Sequence, residues 1–261
     1  MLAIERRNEI LEKLQTDRRV VVSELSQIYD VSEETIRRDL EKLVNDGYAI
    51  KSYGGAVINE NMSIDLPFNV RKNRNIVGKQ HIADLISDTI QDGDSIMMDA
   101  SSTAVYIAKK LEEKGRKNLT IITNSIEIII ELFDVQDWRI MSTGGISRGG
   151  SFALVGHQTN RMLRSYHVDK AIISCKGLDE EAGITDSDEM HANNKRTMLM
   201  SAKEKILAID SSKFDKTAFT AVGTLGEITT VVTDVKPQDR WLETFAEAGV
   251  NCIYPESRVN A

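Results

Sequence analysis

Apolar positions in the first fifty residues recur every three or four places, the spacing of helices that bury one stripe. Arg7, Ile10, Leu11 and Leu14 predict a first helix. Val20–Val22 is a β-branched run of three, long enough only for a small strand. Ser23 is a candidate cap for a second helix whose Leu25, Ile28 and Tyr29 face inward. After the break Asp30-Val31-Ser32, the positions Ile36, Leu40, Leu43 and Val44 predict a third helix with a narrow buried face. Ser32 is its N-cap, Val31 and Ile36 form a hydrophobic staple, and Gly47 is its stop. Tyr48 to Ile58 reads as two short strands around a glycine turn. Residues 59–75 lose the periodicity, contain Pro67 and carry the basic cluster Arg71-Lys72-Arg74, which predicts a connecting arm with a solvated face.

From Ile76 onward the pattern changes to strand and helix in alternation. Ile76, Ile82, Ala83, Leu85, Ile86 and Ile90 make an amphipathic helix. Apolar strand-like runs follow at Ser95–Met98, Leu119–Ile122, Arg139–Met141, Ala171–Ser174, Lys205–Ile209 and Thr230–Val232. Helical segments near 103–114, 126–133, 190–202 and 239–248 separate several of them. This order predicts an α/β fold in which a mainly parallel sheet is covered by helices on both faces. The expected organisation is a small helix-turn-helix domain with a wing over 3–58, a linker over 59–75 and a larger domain over 76–261.

Two sets of polar residues carry the chemistry. At 100° per residue, Arg38 points away from the buried stripe of the third helix, with Glu34, Thr35 and Lys42 near it, while Arg37 lies at the flank. A short turn between two helices, the second offering Arg and Thr near its start, suits the DNA major groove, and Lys51 and Tyr53 of the hairpin suit the phosphate backbone. In the larger domain the strands end in Asp99-Ala100-Ser101-Ser102-Thr103, Thr123-Asn124-Ser125, Thr143-Gly144-Gly145, Cys175-Lys176-Gly177, Asp210-Ser211-Ser212 and Thr233-Asp234. Small hydroxylated residues and glycines at the carboxyl ends of parallel strands are where open α/β sheets bind ligands. Ser101, Ser102 and Thr103 also lead into a helix whose first N–H groups favour an anion such as phosphate.

Thr35-Ile36-Arg37-Arg38-Asp39-Leu40 followed by Gly54-Gly55-Ala56 resembles the N-terminal signature of the DeoR family of bacterial transcriptional regulators. The resemblance continues through Asp99–Thr103, Thr123-Asn124, Thr143-Gly144-Gly145 and Lys195-Arg196 before Met198. It implies a C-terminal sensor of a sugar phosphate, with the fold of ribose-phosphate isomerases and glucosamine-phosphate deaminases. It also implies DNA contacts from Ser32, Glu34, Thr35, Arg37, Arg38, Lys42, Lys51 and Tyr53. Asp99, Ser101, Ser102, Thr103, Asn124, Gly144, Gly145, Lys176 and Lys195 are the implied effector site. The chain departs from the family at Lys51 and Tyr53, where Arg and His are usual, at Ser101, where glycine is usual, and at His191, where an acid is common.

Composition narrows this little further. The formal charge is −7, and residues 1–60 hold nine Lys/Arg against twelve Asp/Glu, so DNA affinity has to come from where the cations stand. No apolar run has membrane-spanning length, and the charged, amphipathic start is not that of a signal peptide, which predicts a cytoplasmic protein. Cys175 and Cys252 are too few and too distant for a disulfide framework or a zinc site. Asp186, Asp188, Glu189 and His191 lack a ligand spacing and read as a solvated loop, and His81, His157 and His167 have no sequence neighbours for a triad. Gly144–Gly150 is not a dinucleotide fingerprint but suits a lid that offers Arg148 to an anion. The expectation is a DNA-binding regulator, a repressor of a carbohydrate operon, without catalytic residues, metal or cofactor. Its expected partners are an operator duplex, a phosphorylated sugar and further copies of itself in a homodimer or homotetramer. The competing reading is a sugar-phosphate isomerase or deaminase fused to a DNA-binding module, with Asp99 as base and Lys195 as electrophile.

Overall fold

A computed structural model describes residues 1–59, 66–148 and 150–255, apart from the side chains of Gln15 and Arg148. The chain forms two compact units, Met1–Arg74 and Asn75–Ala261.

In the first unit α1 (Ala3–Asp17) leads through β1 (Arg19–Val21) to α2 (Val22–Tyr29) and α3 (Glu33–Asn45). Then β2 (Ala49–Ser52) and β3 (Gly55–Ile58) form the hairpin, and α4 (Phe68–Asn73) ends the unit. Ile10, Leu11 and Leu14 of α1 pack with Leu25, Ile36, Leu40 and Leu43 in one core. Three local expectations change. The residue that caps α2 is Val21, still extended from β1, and Ser23 lies inside the helix without a capping bond. Ile28, expected inward, is 58% exposed, because an eight-residue helix has its buried positions at Val22 and Leu25. The arm over 59–75 is not bare: Leu66 and Val70 join the core of the first unit, and α4 lies on α1.

The hairpin is the outer part of a three-stranded antiparallel sheet in the order β1-β3-β2. Its two glycines have different reasons. Gly54 turns the chain at φ +72°, a conformation that L side chains rarely adopt. Gly55 passes so close to β1 that a Cβ there would sit 1.9 Å from the Val20 carbonyl oxygen.

In the second unit α5 (Ile76–Thr89) precedes the alternation β4 (Ser95–Met98), α6 (Ser102–Glu113), β5 (Thr120–Thr123), α7 (Ile126–Glu131) and β6 (Arg139–Ser142). A small hairpin, β7 (Ile146–Arg148) and β8 (Ala153–Val155), and α8 (His157–Arg164) follow. Next come β9 (Val168–Ile173), β10 (Gly177–Asp179), β11 (Gly183–Asp186), α9 (Glu189–Met200) and β12 (Ala202–Ile209). The unit closes with β13 (Thr220–Gly223), β14 (Thr230–Thr233), α10 (Asp239–Glu247) and β15 (Asn251–Ile253).

Seven strands form a wholly parallel sheet in the order β15-β14-β12-β9-β4-β5-β6. Both faces are covered, so its central strands are apolar at successive positions: Ile96-Met97-Met98, Ala171-Ile172-Ile173 and Leu207-Ala208-Ile209 are all buried. Met97, Ile122, Ala171, Ile173, Leu207 and Val231 pack with Met198, Leu199, Trp241 and Phe245 of α9 and α10. The strand order reverses between β4 and β9, which places the ligand-binding crevice of such a sheet at their carboxyl ends.

The first unit contains one ion pair worth testing. Arg6 Nε donates to Asp39 Oδ2 at 2.6 Å with both side chains buried, and Arg7 adds a bond of 3.5 Å to Oδ1. Removing one member of a buried pair strands the other charge. Asp39→Ala should therefore destabilise the first unit by about 3–5 kcal/mol. Calorimetry of the full chain should show an early transition moving down while the later one stays. Unchanged melting would mean that Arg6 finds water in place of Asp39.

Candidate functional site

α3 presents the first candidate surface. Ser32 Oγ accepts the Thr35 N–H at 3.2 Å and shares a hydrogen bond of 2.9 Å with Thr35 Oγ1. Ile36, Asp39, Leu40 and Leu43 are buried, and Arg38 stands on the opposite side with its side chain 76% exposed, against 55% for Arg37. Arg37 pairs with Glu33, Arg38 with Glu34 and Lys42 with Asp46, each four residues apart on the exposed face. Such pairs hold by about 0.3–0.5 kcal/mol, so a phosphate or a base edge can replace them. Lys51 and the fully exposed Tyr53 stand on the hairpin.

The second site is built at the reversal between β4 and β9. Asp99 follows β4, and its Oδ1 accepts the Ser101 N–H at 3.1 Å while its Oδ2 accepts the Ser174 N–H at 3.0 Å. The carboxylate therefore ties the ends of the two strands together. Lys195, on α9, reaches the same point. Its Nζ donates to the Ser174 carbonyl at 2.6 Å and to Asp186 Oδ2, and lies 3.2 Å from Asp99 Oδ2. Ser174 and Asp186 take two of the three protons of the ammonium, and Asp99 adds a close opposite charge.

The electrostatics follow from burial. Desolvation opposes the charge of Lys195, but Asp186 and Asp99 outweigh it and raise its pKa above the ordinary 10.5. Burial likewise pushes the Asp186 carboxyl up, while Lys195 and then Lys176 pull it down to about 2. Cys175, fully buried next door, has its thiol pushed up to about 12 by desolvation and is not a nucleophile at neutral pH.

The serine loop is simpler than expected. Ser101 has φ −83° and ψ 153°, ordinary extended backbone, so no glycine is required there. Its hydroxyl caps α6 by accepting the Ala104 N–H at 3.1 Å. The hydroxyls of Ser102 and Thr103 have no hydrogen-bond partner among the described residues, and their amides open the first turn of α6. Thr123 Oγ1 donates to the Met98 carbonyl, locking the end of β5 to β4. Gly144 and Gly145 take φ +61° and +123°, and Thr159 of α8 donates to the Gly144 carbonyl at 2.8 Å, so this glycine pair shapes the backbone. The lid expected over 144–150 is the β7–β8 hairpin; the Arg148 side chain and Gly149 lie outside the described residues.

Asn124 follows β5 and Lys176 follows β9, on either side of β4, and Lys176 is half-buried and close enough for its charge to act on Asp186. Asn124 Nδ2 donates to the Leu154 carbonyl at 3.0 Å, and its Oδ1 is buried without a partner among the described residues. The loop expected around Asp186 is not solvated as a whole: Asp186 ends β11 at full burial, and Asp188 caps α9 by accepting the Met190 and His191 N–H groups. Among the described residues, no group of three His, Cys, Asp or Glu could hold a metal. Sequence reasoning missed Asp186 as the partner of Lys195, and missed Asn194 beside it. A signal was present: Asn194 and Lys195 lie four residues before Met198 and Leu199, on the face that α9 buries.

The pair can be tested by acid. The folded-state pKa of Asp186 is below its ordinary 3.8, so its charge adds stability above that value, and this stability is lost as pH falls from 3.8 towards about 2. Asp186→Asn should cost about 3–5 kcal/mol at pH 7 by leaving Lys195 under-compensated. It should also flatten the acid limb of a urea-unfolding series between pH 4 and 2. An acid limb as steep as that of the wild type would sink the assignment.

Comparison with known proteins finds a match for each unit. Residues 6–62 match the model of the DeoR-like helix-turn-helix domain, and residues 74–235 match that of the DeoR C terminal sensor domain. An uncharacterized HTH-type transcriptional regulator of Bacillus subtilis, YulB, is 39% identical over 90% of this chain and 90% of its own. The L-fucose operon activator of Haemophilus influenzae is 35% identical over 91% of this chain and 94% of its own. The glycerol-3-phosphate regulon repressor of Escherichia coli is 27% identical over 91% and 93%.

Proposed function

The chain belongs to the DeoR family of transcriptional regulators, and from that premise we propose that it is a repressor of a carbohydrate operon whose grip on DNA is set by a phosphorylated sugar or polyol. Residues 3–58 hold the operator, and residues 76–261 sense the effector and carry assembly into a dimer or tetramer in the cytoplasm. The observation that carries the reading is the start of α6. Its Ser102 and Thr103 amides and hydroxyls meet the crevice at the β4–β9 reversal, a neutral cradle for a phosphate. The names of two relatives, an L-fucose operon activator and a glycerol-3-phosphate regulon repressor, fit a sugar or polyol phosphate.

Ser102, Thr103, Asn124 and Lys176 face the effector, with Gly144 and Gly145 shaping the loop beside them. Asp99 and Lys195 act as positioning residues, because Asp99 ties two backbone amides of the strand ends together and Lys195 is bonded to the Ser174 carbonyl and to Asp186. The electrostatics of Lys195 speak against the isomerase reading. A lysine that acts as base or nucleophile has its pKa lowered towards neutrality, and that of Lys195 is raised.

On DNA, Ser32 and Thr35 fix the start of α3, Arg38 reads a base with Glu34 and Lys42 beside it, and Arg37, Lys51 and Tyr53 contact the backbone. One winged helix makes few contacts, so specific binding needs two copies on paired half-sites.

Arg38→Ala should weaken operator binding by about 1–3 kcal/mol and relax base preference, whereas Arg37→Ala should weaken all sequences alike and lower the salt slope by about one. Equal affinity and specificity for Arg38→Ala at fixed salt would displace the recognition helix. In a thermal-shift series, a cognate sugar phosphate at a hundredfold excess over Kd should stabilise the chain by about 2.7 kcal/mol, and its unphosphorylated counterpart far less. If neither form shifts the melting point across pentose, hexose and polyol phosphates, the phosphate reading falls.

A further inference from the structure

Two buried acceptors near the strand ends have no donor among the described residues. Asn124, at the end of β5, is 2% exposed, and Asn194, on α9 directly before Lys195, is 1% exposed. The Nδ2 of each donates to the same atom, the Leu154 carbonyl oxygen of β8, at 3.0 Å. That sharing fixes both amide orientations. A carbonyl oxygen only accepts, so each side chain must turn its NH2 group towards Leu154 and its Oδ1 away. Both Oδ1 atoms are then left buried with no hydrogen-bond partner among the described residues.

Buried polar atoms in native proteins are nearly always bonded, and one left unpaired is costly enough to call for an explanation. Here there are two of the same kind on two different elements, joined through a single carbonyl. Neither amide can flip to repair its oxygen without setting that oxygen against Leu154. The partner they lack is a donor, and it must be compact to reach oxygens this deeply buried. Hydroxyl groups have that chemistry.

We propose that Asn194 and Asn124 together read hydroxyl groups of the effector, each Oδ1 accepting from one hydroxyl of the same polyhydroxylated ligand. This rests on the effector reading above and deepens it: α6 takes the phosphate, and the asparagine pair selects the carbon skeleton by its hydroxyls. A site built to accept hydroxyl protons rejects analogues that lack them, because its buried acceptors then stay unpaired. Asn194 is thus a specificity-determining residue, although it forms no part of any strand-end loop.

The test uses the full chain and two readouts that a packing role would move differently. Wild type, Asn194→Leu and Asn194→Ala are melted without ligand. They are then titrated with D-ribose 5-phosphate, D-fructose 6-phosphate, D-glucosamine 6-phosphate, sn-glycerol 3-phosphate and ethyl phosphate, the last an anion without carbon-borne hydroxyls. Asn194→Leu keeps the branched shape and removes both the unpaired acceptor and the Nδ2 bond to Leu154, so its unliganded Tm serves as the control for packing. Its Kd for the hydroxylated phosphate that wild type binds best should rise about tenfold or more, with ethyl phosphate unchanged. Asn194→Ala should lose the same selectivity whatever its Tm. The inference is overturned if either variant binds the hydroxylated ligand as wild type does, or if ethyl phosphate weakens in parallel. Should no phosphate shift wild type at all, the effector reading fails and takes this inference with it. A wild-type response that survives Asn194→Leu sinks the asparagine pair alone.

Discussion

An ammonium group cut off from water has to replace its hydration with fixed acceptors, and in the second unit that demand organises the centre of the sheet. Lys195 is held by the Ser174 carbonyl, Asp99 and Asp186, three groups from the ends of β9, β4 and β11. Asp99 in turn takes the amides of Ser101 and Ser174, so one carboxylate joins the serine loop to the far side of the strand reversal. Two carboxylates around one ammonium tolerate little displacement, since any separation leaves a bare charge in a medium that does not solvate it. The crevice where a parallel sheet would otherwise gape is therefore closed at its floor by α9. Whatever binds there meets a preset surface.

Much of this was legible in the sequence because the strands are buried on both faces. Ser95–Met98 and Lys205–Ile209 declare themselves as runs, and the six main strands, α5, α6, α9 and α10 fall where periodicity puts them. What periodicity does not carry is pairing at a distance. The edge strand β15 and the small strands β7, β8, β10, β11 and β13 are three or four residues each and owe their form to partners remote in the chain. Asp186 looked like a loop acid because its partner, Lys195, sits on a helix behind it. Asn194 was invisible for a similar reason. Its meaning lies in sharing a carbonyl with Asn124, seventy residues earlier. In the first unit the apolar stripe of α1 was plain, but nothing in that stripe shows Arg6 as buried, because its partner Asp39 lies on α3.

The first unit solves the opposite problem, keeping cations available instead of burying them. A deep ion pair, Arg6 with Asp39, locks α1 to α3 from the inside, so the orientation of α3 does not depend on its outer face. That outer face is left with weak i, i+4 pairs. Glu33 and Glu34 suit the helix N-terminus and also occupy Arg37 and Arg38 loosely. The net charge of this region is unfavourable for a polyanion, and the geometry overcomes it by gathering Arg37, Arg38, Lys42 and Lys51 on exposed positions while Asp39 is withdrawn. The Gly54-Gly55 pair completes the arrangement, one residue for the turn and one for the contact with β1.

The two kinds of buried polar group in the crevice bear on how a ligand could change the protein at all. A ligand shifts an equilibrium only by its difference in affinity between two states. If Lys195 were free, any small anion would supply that difference, and selectivity between metabolites would be poor. With Asp99 and Asp186 around it, the charge of Lys195 is already compensated and offers an anion little. The start of α6 contributes the modest attraction of a helix terminus, about 0.3–1 kcal/mol when exposed and up to about 2 when partly buried. The remaining binding energy has to come from bonds to neutral groups, and the unpaired oxygens of Asn124 and Asn194 are where such bonds gain most. An acceptor already stripped of water bears its desolvation cost in the unliganded protein, so a hydroxyl that reaches it relieves that cost in the bound state alone. The unsatisfied pair thus makes the unliganded state less stable than it need be. It is through that difference, more than through charge, that this fold would tell one phosphorylated sugar from another.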